Sequence, residues 1–337
     1  MRFDGTAPEI CGRCGFDSRR WWRSDAAEVM DRLGYWWRQA SAAVSDEDLN
    51  RRPAPGVWSA MEYGLHSAWV LPLLRDSIER MVAHDRSRTP DPYPDLDIED
   101  ASRPLTLDPS SLFTDLEREG RVLARLVRAG TDGWHHVGLM DDGTWWQAEA
   151  TLIHIVHDTT HHFLDVGEGL VRIGAALTPA SGTVVSVNRP TGGPSPADAS
   201  VAMPPNDLAC GTTRPDRRAP YRAVSLWSAE IIDQLAAEGH AVGIGTAGEN
   251  LTVSGLDWSS LRPGTRILAG TTLLELSYPM DPQAWEGSWF TDGDPSRLDH
   301  AQHPARARWS AWVRRPGQVR IGDRAILSPG SAQIELA

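Results

Sequence analysis

The sequence predicts two domains of different class: an all-α four-helix bundle over residues 1–176, then a β-barrel-like α+β domain over 183–337. Three observations lead there. Four segments in the first half carry helix periodicity or helix-start signals, joined by loops. The composition shifts abruptly at 177–182, around Pro179. Beyond that point short apolar or alternating runs between turns replace the helical pattern. A chain of 337 residues also has the natural length for two domains.

The bundle elements follow in order. Asp25 with Glu28 makes a capping-type pair, and a helix is expected to run from there to about Val44, with Trp36 and Trp37 supplying bulk for burial. Residues 53–57, with two prolines, break the chain. Ser59 and Glu62 form an S-x-x-E capping box that opens a second helix. His66 lies two turns into it among Tyr63, Leu65, Trp69 and Val70, and Pro72 is expected to kink it near Ala68. Residues 85–110, rich in Pro, Asp and Ser, read as a long loop, with Tyr93 isolated in it. A third helix fits 111–128, with Leu112, Leu116, Leu123 and Leu126 among its apolar positions. Thr144 with Gln147 reads as a further capping box, opening a fourth helix to about Ile173.

The fourth helix holds His154, His157, His161 and His162. His157 and His161 are i,i+4 neighbours, so their rings leave one face one turn apart. Neutral imidazole is a common metal ligand, but two need a third donor from elsewhere. A histidine-rich helix is equally well explained as polar surface or hydrogen-bonded core. Helix bundles build metal sites from facing helices. His66 on the second helix is therefore expected to meet His157 and His161, and three imidazoles would leave a fourth, catalytic position open.

Ahead of the bundle, Cys11 and Cys14 form a C-x-x-C knuckle followed by Gly15. No second C-x-x-C completes a zinc site. A small packed turn is the favoured reading, and a structural metal completed by histidines the sharper alternative. Composition excludes several classes. All 33 basic residues are arginine, which removes Schiff-base and P-loop lysines. A formal charge of -12 argues against nucleic acid and anionic membrane as partners. Three cysteines give no disulfide framework, and neither a signal peptide nor a run of about 18 apolar residues is found. A cytoplasmic protein is expected.

In the second half, strands are expected at 183–187, 199–202, 221–226, 266–268, 272–276, 309–313 and 325–327, with one helix at 228–238. Many short strands with one or two helices point to a barrel-like domain.

Two resemblances add to this reading. Trp58-Ser59-Ala60-Met61-Glu62-Tyr63-Gly64-Leu65-His66, with His157-Asp158-Thr159-Thr160-His161-His162 and Asp165-Val166, resembles the DinB superfamily. The C-x-x-C-G-F-D element of Cys11 to Asp17 resembles the arm of its actinobacterial members. That resemblance implies a four-helix bundle with a divalent metal held by His66, His157 and His161; imidazole donors suit zinc first, with nickel or iron as alternatives. It places His154, His162 and Asp158 in the pocket as catalytic candidates, and Asp158 and Asp165 as groups that orient a ring. It implies a low-molecular-weight thiol such as mycothiol or bacillithiol as co-substrate. In the second half, Ala223-Val224-Ser225-Leu226-Trp227-Ser228, Gly248-Glu249-Asn250-Leu251-Thr252-Val253-Ser254-Gly255-Leu256 and Leu261-Arg262-Pro263-Gly264-Thr265 resemble the MOSC domain. MOSC domains are associated with sulfur transfer and molybdenum cofactor. Here Gln283 stands where members commonly place a cysteine after a proline, and an amide forms no persulfide. Cys210 lies in a different segment, and Arg217, Arg218, Arg222 and Arg297 remain as anion-binding candidates, with Tyr93 as a further cofactor contact.

The function expected is therefore a metal-dependent thiol S-transferase, or a thiol-dependent lyase or isomerase, forming or cleaving a C–S bond on a small electrophile. Its partners would be the small thiol and the electrophile or conjugate, with a homodimer as one allowed assembly. The alternatives are a non-catalytic metal- or ligand-binding protein, and MOSC-type sulfur transfer in cofactor or natural-product biosynthesis.

Overall fold

Four long helices make the first of the two units into which the computed structural model divides, Met1–Ala176 and Leu177–Ala337. The residues described are 8–41, 44–89, 106–141, 143–175, 180–188, 201–203, 220–282 and 284–328. The long helices are α1 (Arg23–Ala40), α3 (Ala60–Ala83), α4 (Pro109–Arg128) and α5 (Ala148–Arg172), and a short α2 (Asp46–Asn50) follows α1. Both α1 and α3 pack against α4 and α5, which closes the bundle around one core. Leu33, Trp36, Leu74, Ile78, Leu116 and Leu152 are fully buried there. Two glycines set the closest crossing. A Cβ on Gly34 would stand 2.7 Å from Glu117 Cα, and one on Gly120 would collide with the Met30 carbonyl. Both positions must stay small for α1 and α4 to approach.

The helix starts follow local chemistry. The Ser59 amide donates to Glu62 Oε2 (2.8 Å) and the Glu62 amide to Ser59 Oγ (3.2 Å), a closed capping box. Arg52 clamps the same buried carboxylate through Nε (2.8 Å). Pro72 lies inside α3, which runs on past it to Ala83. Helix α4 begins at Pro109, two residues before the expected start, because Asp108 caps it by accepting from the Ser111 amide (2.8 Å). The Thr144 box does not form. Thr144 Oγ1 accepts instead from Trp146 Nε1 (3.0 Å), and Trp145–Gln147 pairs as a strand, so α5 starts at Ala148. That strand, β3, is antiparallel to β2 (Val137–Met140), which is parallel to β1 (Ser87–Thr89). The expected loop thus contains β1, and its residue Tyr93 lies outside the described residues.

The second unit is a closed barrel. Its strands are β4 (Ala180–Val187), β6 (Val224–Ser228), β7 (Leu251–Ser254), β8 (Arg266–Ala269), β9 (Thr272–Pro279), β10 (Trp309–Arg315) and β12 (Arg324–Ser328). They run in the order β10-β6-β7-β4-β12-β8-β9. Only β6 and β7 pair in parallel among these described strands, and α6 (Ala229–Ala237) makes the crossover they require. Strands β5 (Val201–Met203) and β11 (Gly317–Val319) form a separate antiparallel pair. Val184, Leu226, Leu251, Ile267, Leu274 and Trp309 fill the interior. The strand expected at 221–226 begins only at Val224, after a 3-10 turn at Pro220–Arg222.

Two polar features fix the barrel. Glu249, fully buried, accepts from the Gly245 amide (2.7 Å) and Thr252 Oγ1 (2.9 Å), while Asn250 Oδ1 accepts from the Ser225 amide (2.9 Å). The Gly248-Glu249-Asn250 segment is therefore a latch between β6 and β7. Glu275 accepts from Arg266 Nε (3.0 Å) and Arg314 Nη2 (2.8 Å), a buried carboxylate spanning three neighbouring strands.

Candidate metal centres

Helix α5 carries two rows of donors one residue apart in sequence. Successive residues are rotated by about 100°, so the 157/161 row and the 158/162 row face different neighbours. Burial of Leu152, Ile155 and Leu164 fixes the rotation of the helix. The structure sends one row to α3 and the other to the N-terminal arm.

The row facing α3 joins His66, Asp158 and His162, whose donor atoms all lie within 4.8 Å of one another. His66 Nε2 is 3.4 Å from Asp158 Oδ2, and His162 Nε2 is 3.9 Å from Asp158 Oδ1. Asp165, one turn on, meets His162 Nδ1 at 2.8 Å and so turns Nε2 toward Asp158. Asp158 Oδ2 and His162 Nε2 are buried and make no hydrogen bond among the described residues. Burial opposes charge on Asp158, but the His66 ring and the field of His162 override it and hold the carboxyl well below the usual range. Trp58 and Tyr63 wall the group, with ring centres 5.4 Å from His66 and 5.0 Å from His162. Burial first, and the Asp165 charge next, push the Tyr63 hydroxyl up to about 12, so it stays protonated at neutral pH.

The donor set fits a divalent ion. Two imidazoles and a carboxylate are a catalytic type of zinc set, with one position left for a substrate, and also suit non-haem iron. At metal–ligand bonds of ~2.0–2.2 Å a tetrahedral edge is about 3.4 Å, the separation found between His66 and Asp158.

The other row faces the arm. Cys11, Cys14, His157 and His161 form a second group within 4.8 Å. Cys14 Sγ is 3.3 Å from His157 Nε2, and Cys11 Sγ is 3.7 Å from His161 Nδ1. Glu9 sits behind, 2.6 Å from His157 Nδ1 and 3.0 Å from His154 Nδ1. The Cys14 thiol, against the opposing effect of burial, holds the Cys11 thiol down to about 3, helped by the backbone amides of Cys14 and Arg13. Burial disfavours charge on His157, yet the Glu9 carboxylate raises its pKa. Burial lowers that of His161. Arg13 ties the arm to α5 through Asp165 and Glu168 (2.6 Å).

The triad expected from His66, His157 and His161 is thus divided. His66 meets Asp158 and His162, because the 158/162 row is the one that points at α3; His157 and His161 meet the two cysteines. His154, expected beside the catalytic group, hydrogen-bonds Glu9 on the arm side. Glu9 itself belongs to no sequence motif, and only the fold could reveal it. Tyr93, Arg217, Arg218, Cys210 and Gln283 lie outside the described residues. Arg222 lies over the rings of Tyr221 (5.3 Å) and Tyr278 (5.6 Å), and Arg297 pairs with Asp292. Of the four expected anion contacts, only Arg222 and Arg297 lie among the described residues.

Comparison with known proteins gives the following. The MOSC domain family model matches residues 212–325, on the barrel unit. YfiT from Bacillus subtilis, described as a probable metal-dependent hydrolase with an unusual four-helix bundle topology, is 19% identical, with a TM-score of 0.40 over 46% of this chain and 89% of its own. YiiM from Geobacillus stearothermophilus is 19% identical, with a TM-score of 0.33 over 43% of this chain and 74% of its own. A mycothiol-dependent maleylpyruvate isomerase is 20% identical, with a TM-score of 0.33 over 43% of this chain and 59% of its own. No curated protein matches the chain. No helix among the described residues is long and apolar enough to cross a membrane.

Proposed function

We propose that the protein is a metal-dependent enzyme of low-molecular-weight thiol chemistry. It would act as a thiol S-transferase, or as a thiol-dependent lyase or isomerase, on a small electrophile or its thiol conjugate, in the reducing cytoplasm. The observation that carries this reading is the open three-donor group of His66, Asp158 and His162, in which Asp158 Oδ2 and His162 Nε2 are buried and make no hydrogen bond among the described residues. These residues would hold a divalent cation, zinc in the first instance, which would supply a Lewis-acid charge suited to lowering a thiol pKa. The chain's own residues do the rest. Asp165 fixes the tautomer and direction of His162. Trp58 and Tyr63 line the group with aromatic surface, which limits water beside the nucleophile. Tyr63, protonated at neutral pH, is a hydrogen-bond donor for a substrate oxygen.

The barrel is the weaker seat for sulfur chemistry. Gln283 replaces the cysteine a persulfide needs, and Cys210 is the only thiol in that half. The experiment that separates the two is turnover of thiol conjugates, mycothiol conjugates first, by zinc-loaded wild type, His162→Ala and Cys210→Ala. Thiol-dependent turnover that survives in Cys210→Ala and disappears in His162→Ala supports the reading. Turnover that requires Cys210 and ignores His162 moves the chemistry to the barrel and ends the proposal.

A further inference from the structure

We infer that Cys11, Cys14, His157 and His161 form a second, closed metal site, which holds a structural zinc ion and fastens the N-terminal arm to α5. Two thiolates and two imidazoles are one of the standard tetrahedral zinc sets. With Zn–S near ~2.3 Å and Zn–N near ~2.0 Å, a tetrahedral ion places sulfur and nitrogen about 3.5 Å apart. The chain sets Cys14 Sγ and His157 Nε2 3.3 Å apart, and Cys11 Sγ and His161 Nδ1 3.7 Å apart, on either side of that value. One thiol–imidazole pair would be an ordinary weak hydrogen bond. Two such pairs, with all four donors within 4.8 Å of one another, converge on a single point.

The surroundings are built for ligation. Cys11 and Cys14 are thiols, not a disulfide. Their knuckle is closed by the Gly15 amide donating to the Cys11 carbonyl (2.8 Å) and the Cys11 amide donating to the Phe16 carbonyl (2.9 Å). Gly15 takes a φ of 75°, which a residue with a Cβ adopts only under strain. Glu9 Oε1 occupies the far nitrogen of His157 at 2.6 Å, which leaves Nε2 to face Cys14. That carboxylate–histidine pairing is the usual support of a metal-bound ring. Phe16 stacks on His157, with ring centres 4.5 Å apart and planes at 17°, and shields the group from water. His161 turns Nδ1 to Cys11, while its Nε2 lies 3.1 Å from Arg13 Nη1 and 3.8 Å from Asp165 Oδ2. Four protein donors leave no position for a substrate, so the ion here is structural. Asp165 also orients His162, so the fastened arm braces the neighbouring open group. The inference does not depend on what reaction that group performs.

The test is zinc-edge X-ray absorption with elemental analysis on the full-length, zinc-replete protein. Three forms are compared: wild type, Cys11→Ser with Cys14→Ser, and His66→Ala with His162→Ala. Wild type is expected to show sulfur neighbours at about 2.3 Å. The cysteine variant is expected to lose them together with one equivalent of zinc. The His66/His162 variant is expected to keep the whole sulfur signal, whether or not the open group ever held metal. A wild-type spectrum without sulfur neighbours overturns the site, and so does a cysteine variant that retains all its zinc. Should that variant fail to fold, the wild-type spectrum alone decides.

Discussion

Asp165 is the residue on which both groups of α5 converge. It orients His162 at 2.8 Å and pairs with Arg13 of the arm. Asp165→Asn is expected to weaken metal binding at the open group by about 10–100-fold while the helices remain folded, because second partners of ligands contribute about that much. Chelator competition reads this directly, and unchanged affinity would contradict the orienting role. Glu275 tests a different kind of residue. Burial opposes its charge, but Arg314 and Arg266 override that and depress its pKa below the ordinary carboxylate range. A depressed carboxylate contributes stability above its unfolded pKa, near ~4.3, and that stability is lost as pH falls toward the folded value. Glu275→Gln should therefore cost about 3–5 kcal/mol at neutral pH, since it removes the charge that both buried guanidinium groups contact. The penalty should shrink below about pH 4, where the unfolded wild-type chain takes up the proton that the folded carboxylate still resists. Denaturant titrations at both pH values check it, and an equal penalty at each would be inconsistent with the sign argued here. At this scale the sequence showed which residues are donors but not how they are partnered. The i,i+4 rule fits 157/161 and 158/162 equally well, and only the packing of α5 decides which row faces α3.

Among the elements, one local start is legible in the sequence, while the local Asp108 cap of α4 shifts its start by two residues and the start of α5 depends on distant pairing. The Ser59/Glu62 box closes as its spacing predicts. The Thr144/Gln147 box has the same spacing but loses to strand pairing with Val137–Met140, a contact no local pattern reveals. The crossing of α1 and α4 is likewise invisible in sequence, because Gly34 and Gly120 read as weak helix formers rather than contact points. Gly120→Ala is predicted to destabilise the bundle by about 1–3 kcal/mol despite better helix propensity, since its methyl group meets the Met30 carbonyl. Urea denaturation followed by helical circular dichroism measures this. A midpoint equal to or above the wild type would remove the close crossing from the account.

For the whole molecule, the change from helical period to short apolar runs, near Pro179, is visible in sequence because the two fold classes bury side chains with different periods. What the pattern could not supply is how the barrel closes, since the register of β12 against β4 and β8 joins strands far apart in sequence. Metal stabilises what binds it, and both candidate centres lie in the first unit. Scanning calorimetry is therefore expected to show two transitions. Chelator should lower the one belonging to the helical unit, and Glu275→Gln the one belonging to the barrel. One transition moved by both treatments would contradict two separately stabilised units.

The proposed chemistry requires a divalent ion among His66, Asp158 and His162. Anomalous diffraction at the zinc edge from crystals of the zinc-loaded wild-type protein would locate that ion. A peak is expected at about 2.0–2.2 Å from a nitrogen of His66, an oxygen of Asp158 and a nitrogen of His162. Zinc-loaded crystals with no anomalous peak among those three side chains would contradict it.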